Sequence, residues 1–123
     1  MLTLLAVSAA SAIGAPARFL LDRTIAGRRT SRLPLGTMTI NLTGAFLLGL
    51  LTGLAVHHGM PKSMLAMLGT GFCGAYTTFS TFSYETMRLV EDGSIAEAGT
   101  NVAVSLLAGT AAAALGLGFA LIV

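Results

Sequence analysis

Residues 71–85 read GFCGAYTTFSTFSYE, a run of small and hydroxyl-bearing residues with no charge before Glu85. Gly69, Gly71 and Gly74 precede or open it, and Thr77, Thr78, Ser80, Thr81 and Ser83 follow almost at once. Glycine in a helix interior costs about 1 kcal/mol relative to alanine, and β-branched threonine is restricted against the preceding turn. The spacing predicts a helix that breaks around Gly74–Thr78 and then resumes. Beyond the break Phe79 and Phe82 share one face, with Ser80 and Ser83 on a neighbouring one.

The surroundings of this stretch say what kind of helix it is. Of 123 residues, 54% are hydrophobic and 10% charged, too few charges for a soluble surface. The charges leave four free intervals, Met1–Ala17, Leu33–Pro61, Ser63–Tyr84 and Ala98–Val123. Each approaches or exceeds the roughly 20 residues that a helix needs to cross a bilayer. The fold class expected is therefore an all-α membrane protein with four transmembrane helices, at about 2–21, 34–56, 61–90 and 96–123, the third broken mid-membrane. No stretch is long and polar enough to link a second domain. The first segment lacks the basic start of a signal peptide, so it reads as a helix that stays.

The ends of the segments carry their own signals. Pro16 is positioned to kink the first helix, and Arg18 lies near enough to its end to reach the headgroups. The polar run DRTIAGRRTSR is expected to close that helix, Gly59 to stop the second, and Ser94 with Glu97 to form a capping box for the fourth. Glu85 and Arg88, three apart, have the spacing of a solvated ion pair. Small residues at close spacing, such as Gly49 and Gly53, or Ala113 and Gly116, allow helix backbones to approach closely in lipid. A bundle of this size has little interior of its own, so oligomerisation is expected.

Net charge of +2 comes from arginines beside membrane segments, which points to lipid headgroups and not to nucleic acid. With both termini on one side, Arg23, Arg28, Arg29, Arg32 and Arg88 fall on the other, against Lys62 alone. That bias places the arginine loops in the cytoplasm. The single cysteine, Cys73, excludes an intrachain disulfide and reads as a small packing residue. Adjacent His57 and His58 direct their rings apart, so a metal site there is not expected.

Polar residues inside such segments demand partners. GTMTINLTG, residues 36–44, puts Thr37, Thr39, Asn41 and Thr43 in the first half of the second helix. Asn41 must face protein or water, either as glue between helices or as part of a polar path. Irregular backbone at the third-helix break is tolerated only where it is buried or lines a cavity. Freed carbonyls there suit a cation; amides and hydroxyls suit an anion. Aromatic rings have an electropositive edge, so Phe79 and Phe82 beside a row of hydroxyls are equipped for a small dehydrated anion.

With GAPARF at 14–19, GTMTINLTG at 36–44 and GFCGAYTTFSTFSYE at 71–85, the chain resembles the Fluc (CrcB) family of fluoride channels along essentially its whole length. The resemblance implies a passive, fluoride-selective channel in the cell inner (plasma) membrane that exports fluoride from the cytoplasm and reduces its toxicity. It implies an antiparallel, dual-topology dimer with a fluoride pathway of Asn41, Phe79, Phe82, Ser80, Thr39, Ser83 and Ser105. Asn101, where some members carry tyrosine, joins that pathway as an amide donor. Arg18 matches the arginine of an electropositive vestibule. Gly74 and Thr77 match positions whose backbone carbonyls hold a structural sodium ion on the dimer axis. The arginine bias departs from the balanced charge of a dual-topology homodimer, so a heterodimer with a homologous chain of opposite bias stays open.

Other function classes fit less well. Proton-coupled drug export by a small four-helix dimer needs a carboxylate within the first helix, and none precedes Asp22. A non-conducting assembly subunit would use the hydroxyls only as helix glue. Enzyme chemistry has no support, since no serine has a histidine and a carboxylate nearby in sequence.

Overall fold

The computed structural model describes residues 1–28 and 31–123; Arg29, one of the first-loop arginines, lies outside the described residues. The described chain is helical throughout, with α1 (Leu2–Ala26), α2 (Leu35–His57), α3 (Lys62–Leu65), a π-helix (Ala66–Cys73), α4 (Gly74–Tyr76), α5 (Phe79–Glu91) and α6 (Ile95–Phe119). Helices α1, α2 and α6 are each long and apolar enough to cross a membrane. Leu4, Leu5, Ile13 and Leu20 of α1, and Leu106, Leu107 and Leu115 of α6, are exposed. Water would not tolerate so much apolar surface, whereas lipid favours it. The chain is a multi-pass membrane protein.

Backbone-to-backbone contact holds the helices together. A Cβ added to Gly116 of α6 would run into the carbonyl of Phe46 in α2, and one at Gly49 of α2 would meet the carbonyl of Ala113. Gly53 fits against Leu117 and Ala120 in the same seam. Close approach of this kind replaces the hydrophobic drive that lipid removes. Gly116→Val should therefore cost at least the roughly 1–3 kcal/mol of an overpacked core. Thermal unfolding in detergent is expected to show a clear drop, and an unchanged transition would mean that the seam relaxes freely.

A second seam joins α1 to the π-helix. Gly14 lies against the Phe72 carbonyl, Gly71 against Val7 of α1, and Ser11 Oγ donates to the Gly71 carbonyl at 3.1 Å. Of the glycines near the break, Gly71 is thus used for approach to α1, while Gly69 faces Leu48 of α2. The backbone turns extended only at Thr77 (φ −78°, ψ 160°) and Thr78 (φ −149°, ψ 121°). The expected break is present, located at the β-branched residues of the Gly74–Thr78 window.

Several local expectations need correction. Helix α1 does not close at Leu21; it continues through Asp22 and Arg23 to Ala26, because those residues are compatible with a helix outside lipid as well as within it. Pro16 lies inside α1. Helix α6 ends at Phe119 instead of reaching Val123. Ser94 precedes α6 but makes no side-chain cap. Its N–H is already donated to the Leu89 carbonyl at 2.8 Å, closing α5 in a turn where Gly93 takes φ +75°, and its Oγ accepts from Arg32 at 3.3 Å. Glu85 forms no pair with Arg88, since its Oε2 is buried without a hydrogen-bond partner. Gly59, at φ +68°, does end α2 as expected.

Candidate functional site

The two extended residues at Thr77–Thr78 leave the Thr78 N–H without a helical acceptor, and Asn41 takes it up while giving the Thr78 carbonyl a second donor. Its Nδ2 donates to the Thr78 carbonyl at 2.9 Å, and the Thr78 N–H donates to its Oδ1 at 2.8 Å. Asn41 therefore does join two elements, as a clasp on the backbone of the break. One N–H of its amide remains beyond those bonds. Thr78 is 8% exposed, so without the clasp its N–H would be buried and unpaired, whereas its carbonyl would keep the first helical N–H of α5.

Helix α5 restarts under Thr78 as its N-cap. Thr78 Oγ1 accepts from the Thr81 N–H at 3.2 Å and donates to the Thr81 hydroxyl at 3.0 Å, with Ser80 Oγ 3.3 Å away. Threonine is a good cap because its short hydroxyl reaches the free N–H groups of the first turn. Phe79 and Phe82 follow with ring centroids 5.8 Å apart and planes tilted by 42°. Phe79 is 79% exposed, an aromatic ring held outward on the surface of a single chain.

The break also strips two carbonyls of their helical donors. In an unbroken helix the Thr78 N–H would reach the Gly74 carbonyl and the Thr81 N–H would reach that of Thr77. Here Asn41 Oδ1 and Thr78 Oγ1 take those N–H groups. Gly74 and Thr77 thus offer carbonyl oxygens beside a groove of about 340 Å³, lined also by Asn41, Gly44 and Phe79. Oxygen donors of this kind fit a hard monovalent or divalent cation. Among the described residues no group of three or more His, Cys, Asp or Glu side chains is placed to hold a metal.

Arg18 lies on the other side of Thr78. It is half-buried beside a cavity of about 130 Å³ that Asp22, Thr37, Thr78 and Thr81 also line. A larger space of about 410 Å³ opens at the end of α1, lined by Asp22, Arg32, Glu85, Arg88 and Asp92, so its walls carry both signs of charge. Of the remaining expected residues, Ser80 is exposed, while Thr39, Ser83 and Ser105 are half-buried and line none of these spaces. Asn101 is fully buried between α5 and α6, where its Nδ2 donates to Thr86 Oγ1 at 2.9 Å.

Three participants escape the sequence reading. Thr86 carries no signal apart from being one more threonine. Tyr76 is a buried ring whose hydroxyl lies 2.8 Å from Thr43 Oγ1, and Phe72 stacks on it at 5.6 Å. Thr78 is legible as a hydroxyl, but its capping role depends on where the extended backbone falls. His58 Nε2 lies 2.7 Å from the Ala120 carbonyl and ties the end of α2 to that of α6.

Comparison with known proteins bears on the whole chain. The family model described as CrcB-like protein, Camphor Resistance (CrcB), matches residues 5–117. The fluoride-specific ion channel FluC 1 of Frankia casuarinae is 47% identical over 121 residues, covering 94% of this chain and 94% of that protein. The fluoride-specific ion channel FluC 2 of Mycobacterium tuberculosis is 52% identical over 104 residues, 85% of this chain and 79% of its own length. A FluC 2 from Moorella thermoacetica is 56% identical over 81 residues, 65% of each. Sequence match and broken polar helix together make this chain a member of the CrcB family.

Proposed function

We propose that the chain is a fluoride channel of the cell inner (plasma) membrane that passively lets fluoride leave the cytoplasm and so reduces its toxicity. The observation that carries the reading is the interrupted helix with its row of hydroxyls and paired rings, in a chain whose relatives are named fluoride-specific ion channels. A dehydrated anion needs donors to replace water. Here the free N–H of Asn41, the Ser80 and Ser83 hydroxyls and the ring edges of Phe79 and Phe82 supply them, with Thr39 and Ser105 beside the same path. Arg18 gives the entrance a positive potential that concentrates anions.

In this reading the segment Lys62–Glu91 crosses the membrane as the fourth spanning element, and two chains pack antiparallel. The exposed Phe79 ring and the open groove at Asn41 and Gly74 are the surfaces that a second chain covers. The carbonyls of Gly74 and Thr77 from both chains hold a structural sodium ion, which ties the two breaks together. The arginine bias of the loops leaves two versions of the dimer, a homodimer or a pair with a homologous chain of opposite bias.

Expression in a bacterial strain lacking its own fluoride exporter tests the export role. Restored growth in fluoride medium is the expected result. Rescue by this chain alone marks a homodimer, and rescue only with a homologous second chain marks a heterodimer. A strain that stays sensitive with correctly inserted protein from either arrangement contradicts the export role.

A further inference from the structure

We infer that Asn101 and Thr86 form a positioning pair that sets Phe82 from behind, without themselves meeting the ion. The inference rests on the channel reading above and assigns Asn101 a different task from the pathway contact that the resemblance implies.

Three atoms in series carry it. Asn101 Nδ2 on α6 donates to Thr86 Oγ1 at 2.9 Å, and Thr86 Oγ1 donates to the Phe82 carbonyl at 2.7 Å. A threonine hydroxyl has one proton and two lone pairs, so it serves both bonds at once. The result is an unbroken link from α6 to the backbone of Phe82. A threonine bonded to the carbonyl four residues back bends its helix. Asn101 holds that hydroxyl in place, so the turn from Phe82 to Thr86 is fixed against α6. Asn101 is 0% exposed and enclosed by its own chain. An ion travelling between two chains feels it only through Thr86 and Phe82.

The cost of Asn101 supports the same view. Its Oδ1 is buried with no partner. Reversing the amide would leave the nitrogen unpaired instead, so one end is orphaned either way. An unpaired buried polar atom lowers stability, and an apolar residue of similar volume would avoid the loss. A side chain kept at such a cost is expected where it specifies geometry.

The test reconstitutes wild type, Thr86→Val, Asn101→Leu, the double variant and Thr86→Ser, and measures fluoride efflux per assembled channel together with thermal unfolding. Each apolar single variant is expected to slow efflux about three- to ten-fold, the factor one neutral hydrogen bond is worth. The double variant should be no slower than the worse single one, because the two residues act as a unit. Thr86→Ser should conduct like wild type, and Asn101→Leu should melt no lower than wild type. Wild-type rates in both single variants, or losses that multiply in the double, overturn the pair. So does a slowdown that merely follows lost stability. Para-fluorophenylalanine at position 82 gives a readout independent of conduction. Its fluorine NMR resonance should move in Thr86→Val and return in Thr86→Ser. An unmoved resonance overturns the positioning role even where fluoride flows, whereas a moved resonance in a protein that passes no fluoride upholds it and sinks the channel reading instead.

Discussion

Phe82→Ile is expected to abolish or greatly slow fluoride flux while leaving the protein assembled. Isoleucine keeps an apolar, branched side chain at the start of α5 but has no ring edge to present to an anion. If the edge contributes as much as a hydrogen bond to a charged group, about 1.5–3 kcal/mol, its loss slows passage by roughly ten- to hundred-fold. Packing alone predicts a different pattern. Phe82 lies against Phe79 at 5.8 Å, and if that contact were its only purpose, the variant would lose stability and keep its flux. Efflux normalised to assembled protein, with size exclusion as the check on assembly, separates the two. Wild-type flux in the variant would remove Phe82 from the path.

Asn41→Asp is the second large effect, and here stability and conduction fall together. The new carboxylate still accepts from the Thr78 N–H, but where Nδ2 donated to the Thr78 carbonyl at 2.9 Å it places a second oxygen against that oxygen. The carbonyl keeps the first-turn N–H of α5 but faces an oxygen where it had a second donor, so the loss is about the 0.5–1.5 kcal/mol of one hydrogen bond. The same carboxylate, when ionised, repels an anion in the proposed path. Flux is expected to fall by at least roughly ten-fold, with a lowered unfolding temperature. Asn41→Leu separates the two causes, since it removes the clasp and adds no charge. Equal loss in both variants would assign the effect to the clasp.

What could be read from the sequence follows from how local each feature is. The apolar segments and the interruption of the third depend on composition over a few turns; three of the segments form helices long and apolar enough to cross a membrane, and the interruption is present. The fine position of the break was less legible, because Gly69, Gly71 and Gly74 look like breakers until their neighbours are known. Gly71 turns out to fit against Val7, some sixty residues away in sequence, and the extended residues are Thr77 and Thr78. Asn41 could be identified as needing a partner, yet the partner is the backbone of a residue 37 positions on. Asp22 and Arg23 were read as loop because charge marks the edge of lipid, whereas helix geometry continues past that edge to Ala26. The Ser94–Glu97 capping box fails because the Leu89 carbonyl takes the Ser94 N–H and Ser94 Oγ accepts from Arg32. Asn101 and Thr86 meet across two helices, and no spacing rule joins them.

The candidate site divides in the same way. The clasp, the cap and the tilted rings are features of one chain and appear in it directly. A path lined by Asn41, Phe79 and Phe82, and a sodium ion at Gly74 and Thr77, belong to the proposed dimer, in which a second copy or a homologue would cover the exposed ring and the open groove.

Fluoride efflux from liposomes tests the central claim most directly. Purified protein is reconstituted in fluoride-loaded vesicles, a potassium ionophore supplies the counter-charge, and an external fluoride electrode follows the ion. Rapid fluoride loss, with chloride retained in parallel vesicles, is the result predicted. Vesicles that contain assembled protein and hold their fluoride would contradict it.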